Sequence, residues 1–406
     1  MVNPLPSPAV GDEVEWVREH LGHLALEPAQ DIRASARFRG GQPAADAALA
    51  GYDVTGYAGS RNEVLPVQGR GASELSPYIR HGLITLPAAW AHVAGAPSRD
   101  RTRFRDQLLW QEYARHLYAR VGSANRSALR REPARGSGWT GEPWPREMAC
   151  MDLVVDGLET DGWLVNQTRL WAASQWTVRA GQEWTAGEDR FFAHLLDGSR
   201  AANRLGWQWA VGAGTGKPYG FSRWQVEKRA PVLCRGCALR DRCPVQDWPD
   251  AEPGTAVDEP PGLRQLPAGV AGPASVETTG QPAVVWLTAE SLGDDDPALT
   301  AHPELPAVFV FDEPLLTRLR LSGKRLVYLA ECLAELGALR EVRVALGDPV
   351  AELVGTRVAT TYAPVPGWAA RAKRIEPVVV HPWPWLVRPR GGSVTSYSAW
   401  IRTHHR

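Results

Sequence analysis

The sequence predicts two units of different fold class, an all-helical N-terminal domain over residues 1–246 and a small parallel α/β domain over residues 283–406. Three observations predict this. Apolar residues recur at three- and four-residue spacing through the first half, the pattern of amphipathic helices. Beyond residue 283 short apolar runs alternate with helical stretches, which implies strands joined by crossover helices in one parallel sheet. Between them, residues 247–282 are rich in Pro, Gly and acids without apolar period, the composition of a linker. A chain of 406 residues also exceeds one compact core, so two domains are the default.

In chain order, Val14, Val17, Leu21 and Leu24 predict a helix within 11–26. Residues 57–79 carry small polar side chains ahead of Pro77, suited to a loop whose amides and hydroxyls hold phosphate oxygens, although a Ser-rich helix cap fits them too. Phe104, Leu108, Leu109, Tyr113 and Leu117 predict a helix over 102–121. Five Arg against one Glu from 120 to 135 read equally as a phosphate-contacting strip or a solvated loop. A helical region over 150–178 breaks near Asp161-Gly162, and Phe191, Phe192, Leu195 and Leu196 form an amphipathic turn before the aromatic-rich stretch Asp197–Trp209. The run Gly212–Lys217 lacks phosphate-loop spacing and precedes Pro218, so it is set aside. Strands are predicted at 283–287, 307–311, 342–346, 357–362 and 377–380, with a helix at 324–336. No GxGxxG follows the first strand, which disfavours dinucleotide binding there.

With 45 basic and 45 acidic residues the net charge is zero, which argues against a bulk nucleic-acid coat while leaving room for a local basic groove. No apolar run approaches the roughly 20 residues of a membrane helix, and the first residues lack a basic then hydrophobic signal region, so a cytoplasmic protein with no membrane partner is expected. In that compartment the five cysteines are expected as ligands or core residues. Cys234, Cys237 and Cys243 lie within ten residues, and with Cys150 they supply four thiols, enough for one thiolate-held iron or zinc centre.

Asp197-Gly-Ser-Arg-Ala-Ala-Asn203-Arg-Leu-Gly-Trp207-Gln-Trp209 resembles the flavin-cradling segment of the photolyase/cryptochrome family. Gly71–Tyr78 looks like that family's FAD-phosphate loop, with Ser73, Leu75 and Ser76 matching, Ala72 departing, and Tyr57 near a family Tyr. Gln107–Tyr113 is similar to its Glu-Leu-x-Trp-Arg-Glu-Phe, keeping Trp110 but with Gln107 for the Glu. Gly162–Leu170 resembles Gly-Trp-x-His-Asn-Arg-x-Arg-Met, keeping Asn166 and Arg169 while Val165, Gln167 and Leu170 depart. The resemblance covers 57–245 strongly and 283–400 more weakly. It implies an FAD-binding helical domain and a Rossmann-like antenna domain that stands last instead of first, a circular permutation. Thr288, Ala289, Glu290 and Ser291 stand where basic residues are usual, so a bound antenna pigment is left open.

Residue by residue, the resemblance implies Tyr57, Ser73, Leu75, Ser76, Gln107, Trp110, Asn166, Arg169, Asp197, Ser199 and Asn203 at the cofactor, with Arg169 paired to Asp197 and Asn203 facing flavin N5. It implies Trp207, Trp184 and Trp139 as an electron-transfer chain, and Gln107, Trp110, Asn166, Gln167, Leu170 and Trp209 at the substrate cavity. Cys150, Cys234, Cys237 and Cys243 look like the four-cysteine pattern of iron-sulfur bacterial photolyases and cryptochromes, implying a 4Fe-4S cluster, with a shorter final spacer and zinc as the alternative. The expected activity is light-driven electron transfer by a photolyase-like lyase on photodamaged or single-stranded DNA. A non-repairing blue-light photoreceptor is the alternative, since Gln107, Gln167 and Leu170 change lesion-contacting positions. A light-independent flavin or iron-sulfur protein is the third class.

Overall fold

The computed structural model describes residues 3–404. Among the described residues its sheet has seven strands, in the order β1 (Asn3–Leu5), β5 (Val342–Gly347), β4 (Ala307–Asp312), β3 (Val284–Leu287), β6 (Val358–Thr361), β7 (Val379–His381), β2 (Glu277–Thr278). Five of them, β3, β4, β5, β6 and β7, are parallel and fall on the predicted apolar runs. Strands buried on both faces read as continuous apolar runs, and β3, with Val284, Val285, Trp286 and Leu287 all buried, is such a strand. Strand order reverses at β3, whose neighbours are β4 on one side and β6 on the other. A crevice outside the carboxyl ends of parallel strands opens where the order reverses.

Both edges of this sheet are closed from elsewhere in the chain. β1 (Asn3–Leu5) pairs antiparallel with β5, and β2 (Glu277–Thr278), from the Pro/Gly-rich segment, pairs antiparallel with β7. The expected all-helical unit over 1–246 therefore begins with a strand of the other unit's sheet. The physical reason is the open edge of β5, whose free N–H and C=O groups pair with whatever extended segment reaches them. Residues 247–282 are likewise docked and not a free tether: Val257 and Glu132 amides bond to Arg130 and Thr255 carbonyls, and Leu263 is buried.

The helical half contains the helices that the spacing predicts, Glu13–His20, Ser98–Val121, Ala149–Asp156 and Asn166–Ala173, with a π-helical turn over Gly157–Asp161 where the break was expected. Helix Ser98–Val121 starts after Pro97 and stops at Gly122 with φ 56°, a left-handed position that favours glycine. One apolar cluster crosses both halves, joining Trp16 and Phe104 to Leu287, Phe309 and Leu326, so the halves share a core. Among the described residues no helix is long and apolar enough to cross a membrane.

Arginines of the stretch 120–135 are tied to partners elsewhere in the chain, and of the five only Arg120 is buried. Arg120 donates to the Arg390 and Gly392 carbonyls, Arg130 pairs with Glu259 and Arg135 with Glu183. Arg120's partners belong to the C-terminal segment, which ends in helix Tyr397–His404 against helix Ser98–Val121. Fully buried Trp400 donates from Nε1 to His116 Nδ1 at 2.8 Å, so His116 is neutral with its proton on Nε2, aimed at the Val387 carbonyl at 2.7 Å. Burial above all, with His404, Arg120 and Arg115 nearby, pulls His116 down to about 3.

A folded value depressed below the ordinary ~6.5 means that the stability tied to neutral His116 is fully present above pH ~6.5 and lost as pH falls toward 3. Between pH 6.5 and 5 the loss is about 2 kcal/mol at ~1.4 kcal/mol per pH unit. Urea unfolding of wild type and His116→Gln at pH 7 and pH 5 checks this. The variant should lose less stability on acidification, and equal losses would rule the linkage out.

Candidate functional site

A cavity of about 1170 Å3 lies between the helical half and the carboxyl ends of β3, β4 and β6. Its helical wall is built around one ion pair. Arg169, on helix Asn166–Ala173, donates from Nη2 to Asp197 Oδ2 at 2.7 Å and from Nε to the Leu164 carbonyl at 2.9 Å. Asp197 sits in a tight turn after helix Trp184–His194, closed by the Gly198 amide on the Leu195 carbonyl and pinned by the Leu196 amide on the Gly162 carbonyl. Ser199 then caps helix Arg200–Ala210 by accepting from the Ala202 amide.

That cap fixes two faces of the helix. Asn203 and Trp207, four residues apart, share the buried cavity side. Arg204 and Gln208 share another face and bond to Asn125, and Arg200 and Arg204 enclose Glu188. Glu188 is raised from its ordinary value, burial outweighing the two guanidiniums. In the cavity wall, Asp197 Oδ1, Asn203 Nδ2 and Trp207 Nε1 are buried without any hydrogen-bond partner. Such orphan atoms are rare in folded proteins and mark a place for a polar guest.

Of the sequence-derived cofactor residues, Tyr57, Ser73, Ser76, Gln107, Trp110, Asn166, Arg169, Asp197, Ser199 and Asn203 line this one cavity. Leu75 is fully buried in the core behind it. The Ser76 hydroxyl accepts from Trp163 Nε1 at 3.0 Å and keeps its own proton to donate. Gln167, Leu170 and Trp209 line the cavity too, but Gln167 already donates to the Tyr219 hydroxyl at 2.6 Å. Trp209 is 40% exposed. Trp110 is stacked on Tyr397 from the C-terminal helix, centroids 4.0 Å apart and planes 11° apart, with the Tyr397 hydroxyl donating to Asp106 at 2.6 Å. One face of Trp110 is therefore taken by the protein itself.

Behind the cavity, Trp207 packs edge-on to Phe191 at 5.2 Å and against Gly187, where a Cβ would lie 2.2 Å from the Trp207 ring and 3.0 Å from Trp176. Trp176 in turn lies 4.7 Å from Trp144. Trp184 is buried in the same cluster and Trp139 packs at its edge, its indole N–H on the Glu142 carbonyl. Trp176 and Trp144 were not singled out by spacing, because which of many indoles touch depends on how the helices cross.

Cys150, Cys234, Cys237 and Cys243 line one void of about 20 Å3. Burial, then the other three thiols, pushes Cys150 up to about 12. Among the described residues no group of three or more His, Cys, Asp or Glu is drawn together closely enough to hold a metal ion.

Residues 104–228 match the family described as the FAD binding domain of DNA photolyase. The chain is 32% identical over 214 residues to a deoxyribodipyrimidine photo-lyase of Synechococcus, covering 48% of this chain and 40% of that relative. It is 29% identical over 163 residues to the enzyme of the same name from Vibrio cholerae, covering 37% and 35%. The matches thus span less than half the length of these relatives. Among solved structures, a class III photolyase from Agrobacterium tumefaciens is similar at 24% identity and TM-score 0.38, covering 55% of this chain and 46% of that one. A cryptochrome from Synechocystis is similar at 19% identity and TM-score 0.41, covering 52% and 48%.

Asp197→Ala should leave the Arg169 guanidinium without its carboxylate. The cost is about 3 kcal/mol, the low end for a broken buried pair, because Arg169 keeps 21% side-chain exposure. Urea unfolding measures it. Part of the loss should return in the double variant Arg169→Met, Asp197→Ala, and a single variant as stable as wild type would show that the pair carries little.

Proposed function

We propose that the protein is an FAD-dependent flavoprotein performing light-driven electron transfer in the manner of photolyases and cryptochromes, with photodamaged or single-stranded DNA as the first candidate substrate. The observation that carries this reading is the coincidence of the Arg169–Asp197 pair with the unpartnered Asp197 Oδ1 and Asn203 Nδ2 in one cavity within the matched segment. A buried acceptor and a buried amide donor suit a flat heterocycle carrying both donor and acceptor atoms on its edge. FAD, when bound, would supply the photochemistry of accepting and delivering single electrons under blue light.

The residues of this chain would do the rest. Ser73 and Ser76 would donate to phosphate or ribityl oxygens, Arg169 would hold Asp197 in place, and Asn203 would present its amide to the ring. Trp207 would relay electrons through Trp184 and Trp139 by resemblance, or across Gly187 to Trp176 and its neighbour Trp144 by proximity. The order of the chain, flavin-type helices first and parallel sheet last, supports reading it as a circular permutation of the family arrangement. The four thiols around one void support a thiolate-held centre, a 4Fe-4S cluster first and zinc second. A void of 20 Å3 has room for about one water-sized guest, so a cluster would require the Cys234–Cys243 loop to move outward.

The second reading, a photoreceptor that repairs nothing, is favoured by the substrate wall. Gln107 cannot supply a carboxylic proton, Gln167 is occupied by Tyr219, and Trp110 is covered by Tyr397.

Anaerobically purified protein should be yellow and release about one equivalent of FAD on denaturation, and colourless protein that takes up no FAD would defeat the proposal. Iron and sulfide analysis of the same sample separates cluster from zinc. Illumination of the reduced protein with cyclobutane-dimer and (6-4) oligonucleotides, single- and double-stranded, then separates the two readings. Reversal of either lesion supports repair, while none with FAD bound supports the photoreceptor.

A further inference from the structure

Helix Gly323–Gly337, from the parallel-sheet half, enters the flavin-type wall by its first turn. The Ser322 amide donates to the Ala193 carbonyl at 2.9 Å, and Lys324 Nζ lies 3.1 Å from His194 Nδ1. Arg325 goes deepest. It is 5% exposed, lines the same cavity as Asp197 and Asn203, and donates to the Phe192 carbonyl and, at 3.3 Å, to the Gly198 carbonyl. Gly198 makes room for it, since a Cβ there would lie 2.8 Å from Arg325 Nη1.

The surrounding guanidiniums differ from Arg325 in one respect. Arg80 is paired with Glu290, Arg169 with Asp197, Arg200 with Glu188 and Asp189, and Arg204 with Glu188. Among the described residues Arg325 has no carboxylate within ion-pair distance, only main-chain carbonyls. Burial, then the nearby Arg80, lowers it to about 9 against the opposing fields of Asp197 and Glu290, which still leaves it charged at neutral pH. Those two carboxylates are already paired with Arg169 and Arg80, so Arg325 is a buried charge without an ion-pair partner of its own, which is costly, and an anion brought into the cavity would offset that cost.

Building on the flavin reading above, we propose that Arg325 is a positioning residue contributed by the sheet half: it holds the 192–198 wall and supplies the uncompensated positive charge that favours reduced, anionic flavin over oxidised, neutral flavin in this cavity. Nothing in residues 104–228 supplies this charge, so the flavin-type domain depends on the other half of the chain for its electrostatics.

The test is the two-electron midpoint potential of bound FAD, titrated anaerobically in wild type, Arg325→Gln and Arg325→Lys after flavin content has been measured. Removing the charge in Arg325→Gln should weaken binding of the reduced form relative to the oxidised form about tenfold, a fall of about 30 mV. Arg325→Lys loses the fork to the two carbonyls and, because burial also lowers a lysine, which starts below arginine, it is compared with wild type at pH 6, where it keeps the charge; there it should melt earlier while holding a potential near the wild-type value. An Arg325→Gln variant with full flavin and an unchanged potential would overturn the proposal. So would a potential in Arg325→Lys that falls as far as in the Gln variant, and this arm decides the matter alone if the Gln variant does not fold. Wild type that takes up no FAD would remove the flavin reading itself and this inference with it, whereas flavin-loaded wild type with charge-insensitive potentials would remove only the inference.

Discussion

The contact between Arg169 and Asp197 is the one on which the cavity depends. Asp197 is buried, and the Arg169 guanidinium 2.7 Å away gives one of its carboxylate oxygens a charge-assisted partner. The pair ties helix Asn166–Ala173 to the segment leading into the Ser199 cap. The cap sets the rotation of helix Arg200–Ala210 and thereby the side on which Asn203 and Trp207 stand. With Oδ2 spent on Arg169, Oδ1 is left buried and unpartnered in the cavity wall. The pair thus both builds the wall and leaves on it an acceptor for a guest.

Much of this was legible in the sequence where the signal is local. Short apolar-rich runs marked all five parallel strands; those of β3 and β4 are continuous because burial on both faces removes alternation, whereas exposed Arg343 interrupts β5 and Thr360 and Thr361 end β6. Asn203 and Trp207 could be placed on one face from their spacing alone. What was not legible comes from distant segments meeting. β1 lies more than 330 residues from its partner β5, Tyr397 nearly 290 from Trp110, and Arg325 nearly 130 from Gly198. Each of these three contacts is set by how the halves dock, and no local pattern announces the distance. The segment 247–282 was misread as a tether for a related reason, since composition reports the lack of periodic structure and not whether a chain lies in a groove.

The docking of the halves also bears on the substrate wall. In a site that takes a nucleobase, an exposed indole offers a face worth roughly 1–3 kcal/mol of stacking. Trp110 has given one face to Tyr397, which is anchored in turn by Asp106 and by the buried Trp400 beyond it. Trp209, 40% exposed at the mouth, keeps more of its surface. Within this cavity the aromatic surface left for a planar guest is therefore greater at Trp209 than at Trp110, away from the altered Gln107.

The same reasoning separates the two ends of the helical half. Around Asp197 the polar groups already stand in fixed relation, held by an ion pair, a cap and the inserted Arg325, so a guest would meet a preformed wall. Around Cys150, Cys234 sits in the short 3-10 turn Leu233–Gly236, Cys237 just after it and Cys243 just after the turn Arg240–Arg242, in a segment whose backbone bonds are mostly local. Metal-ligand energy becomes folding energy where a loop has little structure of its own. The Cys234–Cys243 loop is such a place and the Asp197 wall is not, so a metal there would order the loop around itself, whereas a ligand beside Asp197 would only occupy space already shaped.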